Sequence, residues 1–261
     1  MRLLRLGPGD ELALTKFNHD LPPYAILSHT WGHEDDEVNF QDIMEKTGKD
    51  KPGYQKIVFC GEQARTDSLD YFWVDTCCID KTSSTELSES INSMFNWYRD
   101  AKICYVYLAD VSNVECDQSE ADISGEIWQS AFQGSRWFTR GWTLQELLAP
   151  TSVRFFDQHG SLLGDKSTLN RRVSDITGIT ERALLGVPLT NIKVSERYEW
   201  ARSRQTTREE DWAYSLQGIF GVFFVPVYGE GREKAVRRLV KEIKEDRLSV
   251  EMQSVTIGTQ S

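Results

Sequence analysis

The chain has 261 residues, 39% of them hydrophobic and 27% charged, and a formal net charge of −10. That length fits one large domain, or a domain with an extension, with a full hydrophobic core, and the composition is that of an ordinary globular protein. The acidic balance excludes a general nucleic-acid binder, which needs a basic face against phosphate, and argues equally against docking on an anionic membrane.

Met1–Leu6 and Glu11–Phe17 flank the turn Gly7-Pro8-Gly9-Asp10 and are predicted to form an N-terminal hairpin over residues 1–20. The turn comes too early for the apolar core of a signal peptide. No apolar run reaches the roughly 18 residues of a membrane helix, so a cytoplasmic location with no membrane span is expected. Tyr24-Ala25-Ile26-Leu27-Ser28 reads as a buried strand running into a polar loop. The acidic run Glu34-Asp35-Asp36-Glu37 reads as solvated. A helix starts at Lys51-Pro52 and carries Ile57, Cys60 and Ala64 at helical spacing to about Ser68. Tyr71–Asp75 is the second strand. Ser83 and Glu86 form a capping-box pattern before a helix whose apolar face is Leu87, Ile91, Met94, Phe95 and Tyr98. Ile103–Leu108 is the third strand. An acidic loop from Glu115 to Glu126, a short helix at Trp128 and a helix over Thr143–Leu148, stopped by Pro150, lead to the fourth strand, Val153–Phe156.

Alternating strands and helices predict an α/β fold over residues 21–165. Its parallel sheet, with Ile26, Val74, Val106 and Phe155 in four strands, is covered by helices on both faces. From residue 166 to 245 helical patterns dominate: Ser167–Thr177, Thr180–Leu185, Ser195–Ser203, Arg208–Phe220 and Gly231–Glu245. Ala213, Leu216, Ile219 and Phe220 make a core-facing stripe, and Arg208 with Asp211 is expected to form a buried pair. This part is expected to support the sheet and to supply no chemistry. Residues 246–261 read as a polar tail or linker.

Five cysteines form no CxxC pair, and four histidines are too few for a His-rich centre, so reduced buried thiols and no metal site are expected. Ligands of an open parallel sheet bind beyond the carboxyl ends of its strands. Ser28–Gly32, Asp75–Asp80 and Ala109-Asp110 lie at such ends, and Glu146 can project into the same mouth. Ser28-His29 suggests nucleophile and base, but neighbouring strand residues point to opposite faces, and Cys77 with His29 is no stronger. Asp75 and Asp80 suit helix caps or turns as well as a site, and Trp142 suits a core as well as a stacking platform. Tyr228-Gly229-Glu230-Gly231 lacks Walker spacing and reads as the turn before the last helix.

Three stretches, in order and spacing, resemble the HET domain of fungal heterokaryon-incompatibility proteins: Ala25-Ile26-Leu27-Ser28-His29-Thr30-Trp31-Gly32, Phe72-Trp73-Val74-Asp75-Thr76-Cys77-Cys78-Ile79-Asp80, and Ser135-Arg136-Trp137-Phe138-Thr139-Arg140-Gly141-Trp142-Thr143-Leu144-Gln145-Glu146-Leu147. Arg204–Asp211 and Tyr228–Gly231 extend the likeness, so the resemblance makes residues 1–245 one HET domain. It is nearest to the N-terminal domains of large receptors that continue into an NTPase module and WD repeats. The chain is then an excised domain or a short paralogue, with self-association and such a receptor module in cis, or a partner in trans, as expected partners. More remotely the stretches are similar to TIR domains, which implies a TIR-like, flavodoxin-like sheet. The glutamate of the TIR Trp-Cys-Leu-x-Glu-Leu motif, catalytic in NAD hydrolysis, then corresponds to Glu146, with Thr143 in place of the cysteine. The first loop carries Trp31 and no matching arginine.

The resemblance implies a cell-death effector of heterokaryon incompatibility and innate immunity that cleaves NAD at the nicotinamide–ribose bond when clustered. NAD is then the substrate and no cofactor is needed. Glu146 would face the developing oxocarbenium charge, as glycosidase carboxylates do. Ser28, His29, Gly32, Asp75 and Asp80 would line the mouth, Trp31 or Trp142 would stack on a ring, and Arg136 or Arg140 would pair with the pyrophosphate. The alternatives are a non-enzymatic module that signals death by homotypic or partner contact, and a different glycosyl-bond enzyme acting on nucleotides.

Overall fold

The computed structural model describes residues 1–112 and 121–258. Strands β1 (Arg2–Leu6) and β2 (Leu12–Lys16) form the N-terminal hairpin, followed by β3 (Tyr24–His29). Helices α1 (Phe40–Glu45) and α2 (Tyr54–Thr66) precede β4 (Tyr71–Trp73), and the one-turn α3 (Asp75–Cys78) and long α4 (Ser84–Asp100) precede β5 (Ile103–Tyr107). Then come α5 (Ala121–Gly134), α6 (Thr143–Leu148), β6 (Val153–Phe156) and β7 (Leu162–Asp165).

Among the described residues the strands form one seven-stranded sheet in the order β2-β1-β4-β3-β5-β6-β7. The central four, β4-β3-β5-β6, are parallel; β1 joins β4 and β7 joins β6 antiparallel. Numbered by themselves, the parallel strands run 2-1-3-4, the flavodoxin-like order, whose direction of winding reverses between β3 and β5. The chain steps from β3 to β4 over α2, then back past β3 to β5 over α4. Two right-handed crossovers in opposite directions put α2 and α4 on opposite faces. The pleat of β4 agrees: a Cβ on Gly61 of α2 would meet the Phe72 ring at 3.1 Å, whereas Trp73 packs edge-on against Trp97 and Tyr98 of α4.

The four predicted parallel strands are present, with Ile26, Val106 and Phe155 in three of them. Val74 lies one residue past β4. It is still extended, but α3 starts at Asp75 and removes it from the ladder. The acidic stretch expected as a loop is helical from Ala121 onward, and residues 113–120 lie outside the described residues. Ser83 caps α4 by accepting from the Glu86 N–H at 3.4 Å, but the Glu86 carboxylate turns to Arg2 and to the Asp80 N–H, so the box is not reciprocal. A reciprocal box sits instead at Asn39 and Asp42 of α1.

Beyond β7 the chain forms α7 (Asn170–Thr177), α8 (Glu181–Leu184), α9 (Val194–Arg202), α10 (Asp211–Tyr214), α11 (Gln217–Phe220) and α12 (Arg232–Gly258). Ala213, Leu216, Ile219 and Phe220 are buried as expected, though they lie on two short helices, with Leu216 between them, and not on one. The predicted buried Arg208–Asp211 pair is absent as such: Arg208 is exposed and stacks on Tyr228, while Asp211 accepts from Trp142 and Tyr228. The polar stretch read as a tail is helical through Gly258. The helical part docks on α4 so closely that a Cβ at Gly218 would lie 2.1 Å from Phe95 Cβ. Gly218→Ala is therefore expected to destabilise the fold by about 1–3 kcal/mol through overpacking. An unchanged midpoint in denaturant titration would contradict this docking.

Candidate functional site

Helix α6 is buried along its whole length, from Thr143 to Leu148. An aromatic wedge sets its position. The 3-10 turn Arg136–Thr139 drives Trp137 and Phe138 into the core, where they pack edge-on against each other, Phe138 also meets Phe132 edge-on, and both lie against Phe155 of β6. Ser135 caps the turn by accepting from the Trp137 N–H at 3.3 Å, and Asp110, just past β5, accepts from Ser135 Oγ at 2.7 Å and from the Arg136 N–H at 2.8 Å.

This seating turns Glu146 inward toward the end of β3. Ser28 Oγ donates to Glu146 Oε2 at 2.5 Å, and Trp137 Nε1 donates to Ser28 Oγ at 2.8 Å. Glu146 is 7% exposed and Ser28 fully buried. Burial is the largest influence on this carboxyl and, with the charge of Asp75, pushes its pKa up to about 8; the Ser28 hydrogen bond, the Arg204 charge and the Tyr98 hydroxyl oppose the rise. The carboxyl is therefore largely protonated at neutral pH.

On the other side of the β3 end, His29 Nε2 lies 3.1 Å from Asp75 Oδ1, and Trp31 Nε1 donates to Asp75 Oδ2 at 3.0 Å. Burial works against the Asp75 charge, but the hydrogen bond and charge of His29, with help from Lys81 and Trp31, hold its pKa below the usual value. An ionised Asp75 only accepts, so His29 Nε2 donates this hydrogen bond, and the buried Nδ1 has no partner among the described residues.

Ser28, His29, Trp31, Asp75 and Glu146 thus gather around the carboxyl end of β3, at the reversal of winding. Other predicted site residues do not. Asp80 closes its own turn by accepting from the Thr82 N–H and Oγ1 at 3.0 and 2.6 Å. Trp142 faces the helical part through Asp211, 3.2 Å from its Nε1. The Arg140 guanidinium donates to Thr207 at 3.1 Å, and Arg136 is exposed beside Asp110. Gly32 donates its N–H to Glu37 at 2.7 Å. Glu37 belongs to the run expected to be solvated, yet it is 6% exposed and pairs with Lys56 at 2.6 Å, tying the loop after β3 to α2. The Ser–His and Cys–His readings find no pairing: Ser28 serves Glu146, His29 serves Asp75, and the Cys77 thiol, pushed up by burial, points to the Val74 carbonyl.

Arg204 is the residue that pattern reading missed. It is 3% exposed and donates through Nη1 to the Arg140 carbonyl and to Thr143 Oγ1, both at 2.8 Å, and through Nε to the Trp200 carbonyl at 3.2 Å. Its buried Nη2 has no partner among the described residues, and its charge acts on Glu146, one turn along α6 from Thr143. The surrounding backbone is stitched to the helical part: Gly141 N–H donates to Gln205 O at 2.8 Å and Gln205 N–H to Thr139 O at 2.7 Å. The approach leaves no room for a side chain at position 141, where a Cβ would meet Thr206 Cγ2 at 2.4 Å. The helical part thus brings a charge to this site. Among the described residues no cluster of three or more His, Cys, Asp or Glu could hold a metal, and no helix is long and apolar enough to cross a membrane.

A folded-state pKa of about 8 against the ordinary 4.5 means that the folded protein binds more protons than the unfolded chain between those values. The Glu146 contribution to stability is therefore most favourable below the lower value, falls as pH rises through the window, and is flat above the upper one. Glu146→Gln cannot titrate. Its melting temperature relative to the unmodified protein is expected to climb steadily from about pH 5 to about pH 8. A difference that does not change with pH would contradict a protonated Glu146.

Residues 24–125 match the family model described as heterokaryon incompatibility protein (HET). The chain is also similar to vegetative incompatibility protein HET-E-1 of Podospora anserina, with 53% identity over 248 residues, 94% of this chain and 18% of that protein. It thus spans less than a fifth of the length of the curated relative it matches. No solved structure matches. The family match covers β3 through β5, and the longer similarity takes in Glu146 and Arg204 as well. The chain belongs to the heterokaryon incompatibility (HET) family.

Proposed function

We propose that this chain is a cell-death effector of heterokaryon incompatibility and that it cleaves NAD at the nicotinamide–ribose bond when clustered, with Glu146 as the essential carboxylate. The observation that carries this reading is a buried carboxyl, hydrogen-bonded by Ser28, at the point where the winding of a parallel sheet reverses. Ligands of this sheet type bind there. In the reaction, the electron pair of the C–N bond goes to the pyridine nitrogen, and nicotinamide leaves neutral. No general acid is needed for the leaving group. Positive charge develops on the ribose, and a carboxylate beside it stabilises that charge. Water then adds to the ribose carbon and loses a proton, giving ADP-ribose.

An ionised Glu146 is required, whereas burial keeps it protonated in the closed fold. A cationic substrate, or a rearrangement that admits water, favours the ionised form. We assign that step to self-association, driven by a receptor module in cis or by a partner in trans. The low exposure of Glu146 supports a latent single copy, and a constitutively active one would kill its own cell.

The contact-only alternative draws on a different feature. In the segment after α11, Phe223, Val225 and Val227 are 52%, 63% and 47% exposed, an apolar row suited to protein contact. Expression in fungal cells separates the two readings. Clustered protein is expected to deplete NAD before membrane integrity is lost and to stop growth, and Glu146→Gln to do neither. Loss of the charge costs on the order of 100-fold or more in rate. Death with NAD unchanged, persisting in a Glu146→Gln protein shown to be folded by thermal melt, would establish the contact reading.

A further inference from the structure

The indole of Trp31 is an exposed aromatic with a fixed orientation. It is 40% exposed, yet Nε1 is held by Asp75 Oδ2 at 3.0 Å, and Asp75 is held in turn by His29 from the end of β3. A cation lies over the ring. Lys81 Nζ, from the loop after α3, lies 3.8 Å from the ring centroid. Asp75, Glu37 and Glu34 all act on that ammonium electrostatically. The negative quadrupole face of an indole and a surrounding field of carboxylates select the same kind of occupant, a positive charge.

We propose that the face of Trp31 that Lys81 covers is a seat for a cationic aromatic ring, the pyridinium of an oxidised pyridine nucleotide, and that Lys81 holds the seat in the free protein and is displaced on binding. The identity of the ligand rests on the NAD reading above; the preference for a cation rests on Trp31, Lys81 and the carboxylates around them. A pyridinium offers both a flat ring to stack and the charge that the lysine now supplies. A neutral base such as adenine offers only the ring. Cleavage destroys the attraction, because the ring that leaves is uncharged nicotinamide, so the seat favours substrate over product.

Two small probes of nearly equal shape test this on the intact chain: 1-methylnicotinamide, a permanent cation, and nicotinamide, its neutral counterpart. The readout is the Trp31 indole N–H signal in proton–nitrogen spectra, identified by its loss in Trp31→Leu. The cation is expected to shift that signal saturably and to bind at least about threefold more tightly than the neutral ring. Lys81→Ala removes the competing ammonium and is expected to tighten binding of the cation severalfold. Should Trp31→Leu fail to fold, Trp31→Phe assigns the signal in its place, and Lys81→Ala and the ratio of the two probes then decide. No shift with the cation, equal affinity for both probes, or weaker cation binding in Lys81→Ala would overturn the proposal. NAD cleavage by a protein that fails this test would leave the hydrolase reading standing and remove the seat. Cation binding by a protein that never consumes NAD would do the reverse.

Discussion

A carboxyl taken out of water governs this structure. Desolvating a charged carboxylate costs several kcal/mol even after relaxation, so a glutamate is rarely buried without a strong reason. Here the protein meets that cost by keeping Glu146 protonated and giving it a hydroxyl partner. Ser28 is itself fixed by Trp137, and Trp137 is fixed by the aromatic packing on β6. The position of one carboxyl thus depends on the strand order, because only the adjacency of β3, β5 and β6 brings Ser28, Asp110 and Phe155 under the same turn.

The same constraint explains why the helical part is joined so tightly to the sheet. Arg204 is a buried guanidinium with three hydrogen-bonding contacts and one nitrogen left over, next to a carboxyl that has not ionised. A charge in that position lowers the cost of forming the Glu146 carboxylate without forming a full ion pair in the closed state. The Gly141–Gln205 and Thr139–Gln205 backbone bonds place it. A domain cut after β7 would keep the strands and lose the charge.

Much of this was legible in the sequence, and the remainder was hidden for physical reasons. The four parallel strands announced themselves as short apolar runs between polar turns, and the resemblance of Trp142–Leu147 to a known motif singled out Glu146, though as a residue of an open mouth and not as a buried one. β7, Leu162–Asp165, was not legible: it has no apolar alternation, and it exists through pairing with β6. Ala213 to Phe220 carried a correct burial stripe, but Gly218 is there to admit Phe95, a contact no local pattern reveals. Glu37 looked like one more acid in a solvated run because its partner, Lys56, lies on another element. Arg204 sits in a polar stretch with no periodicity, and its role follows from tertiary contact alone. Of the proposed ligand residues, those on β3 and at the start of α3 converge, because strand ends are positions a fold must bring together. Arg136, Arg140 and Trp142 point elsewhere because loop side chains follow their own local partners.

The closed fold holds Glu146 in its neutral form, ready to acquire charge when the site changes. The most direct measurement is a titration of the Glu146 side-chain carboxyl by carbon NMR in the unclustered protein, with Glu146→Gln used to assign the signal. A midpoint near the value of about 8 that burial imposes is expected. A midpoint at the ordinary glutamate value of 4.5 would show that the carboxyl is solvated and charged at rest, and would contradict the account.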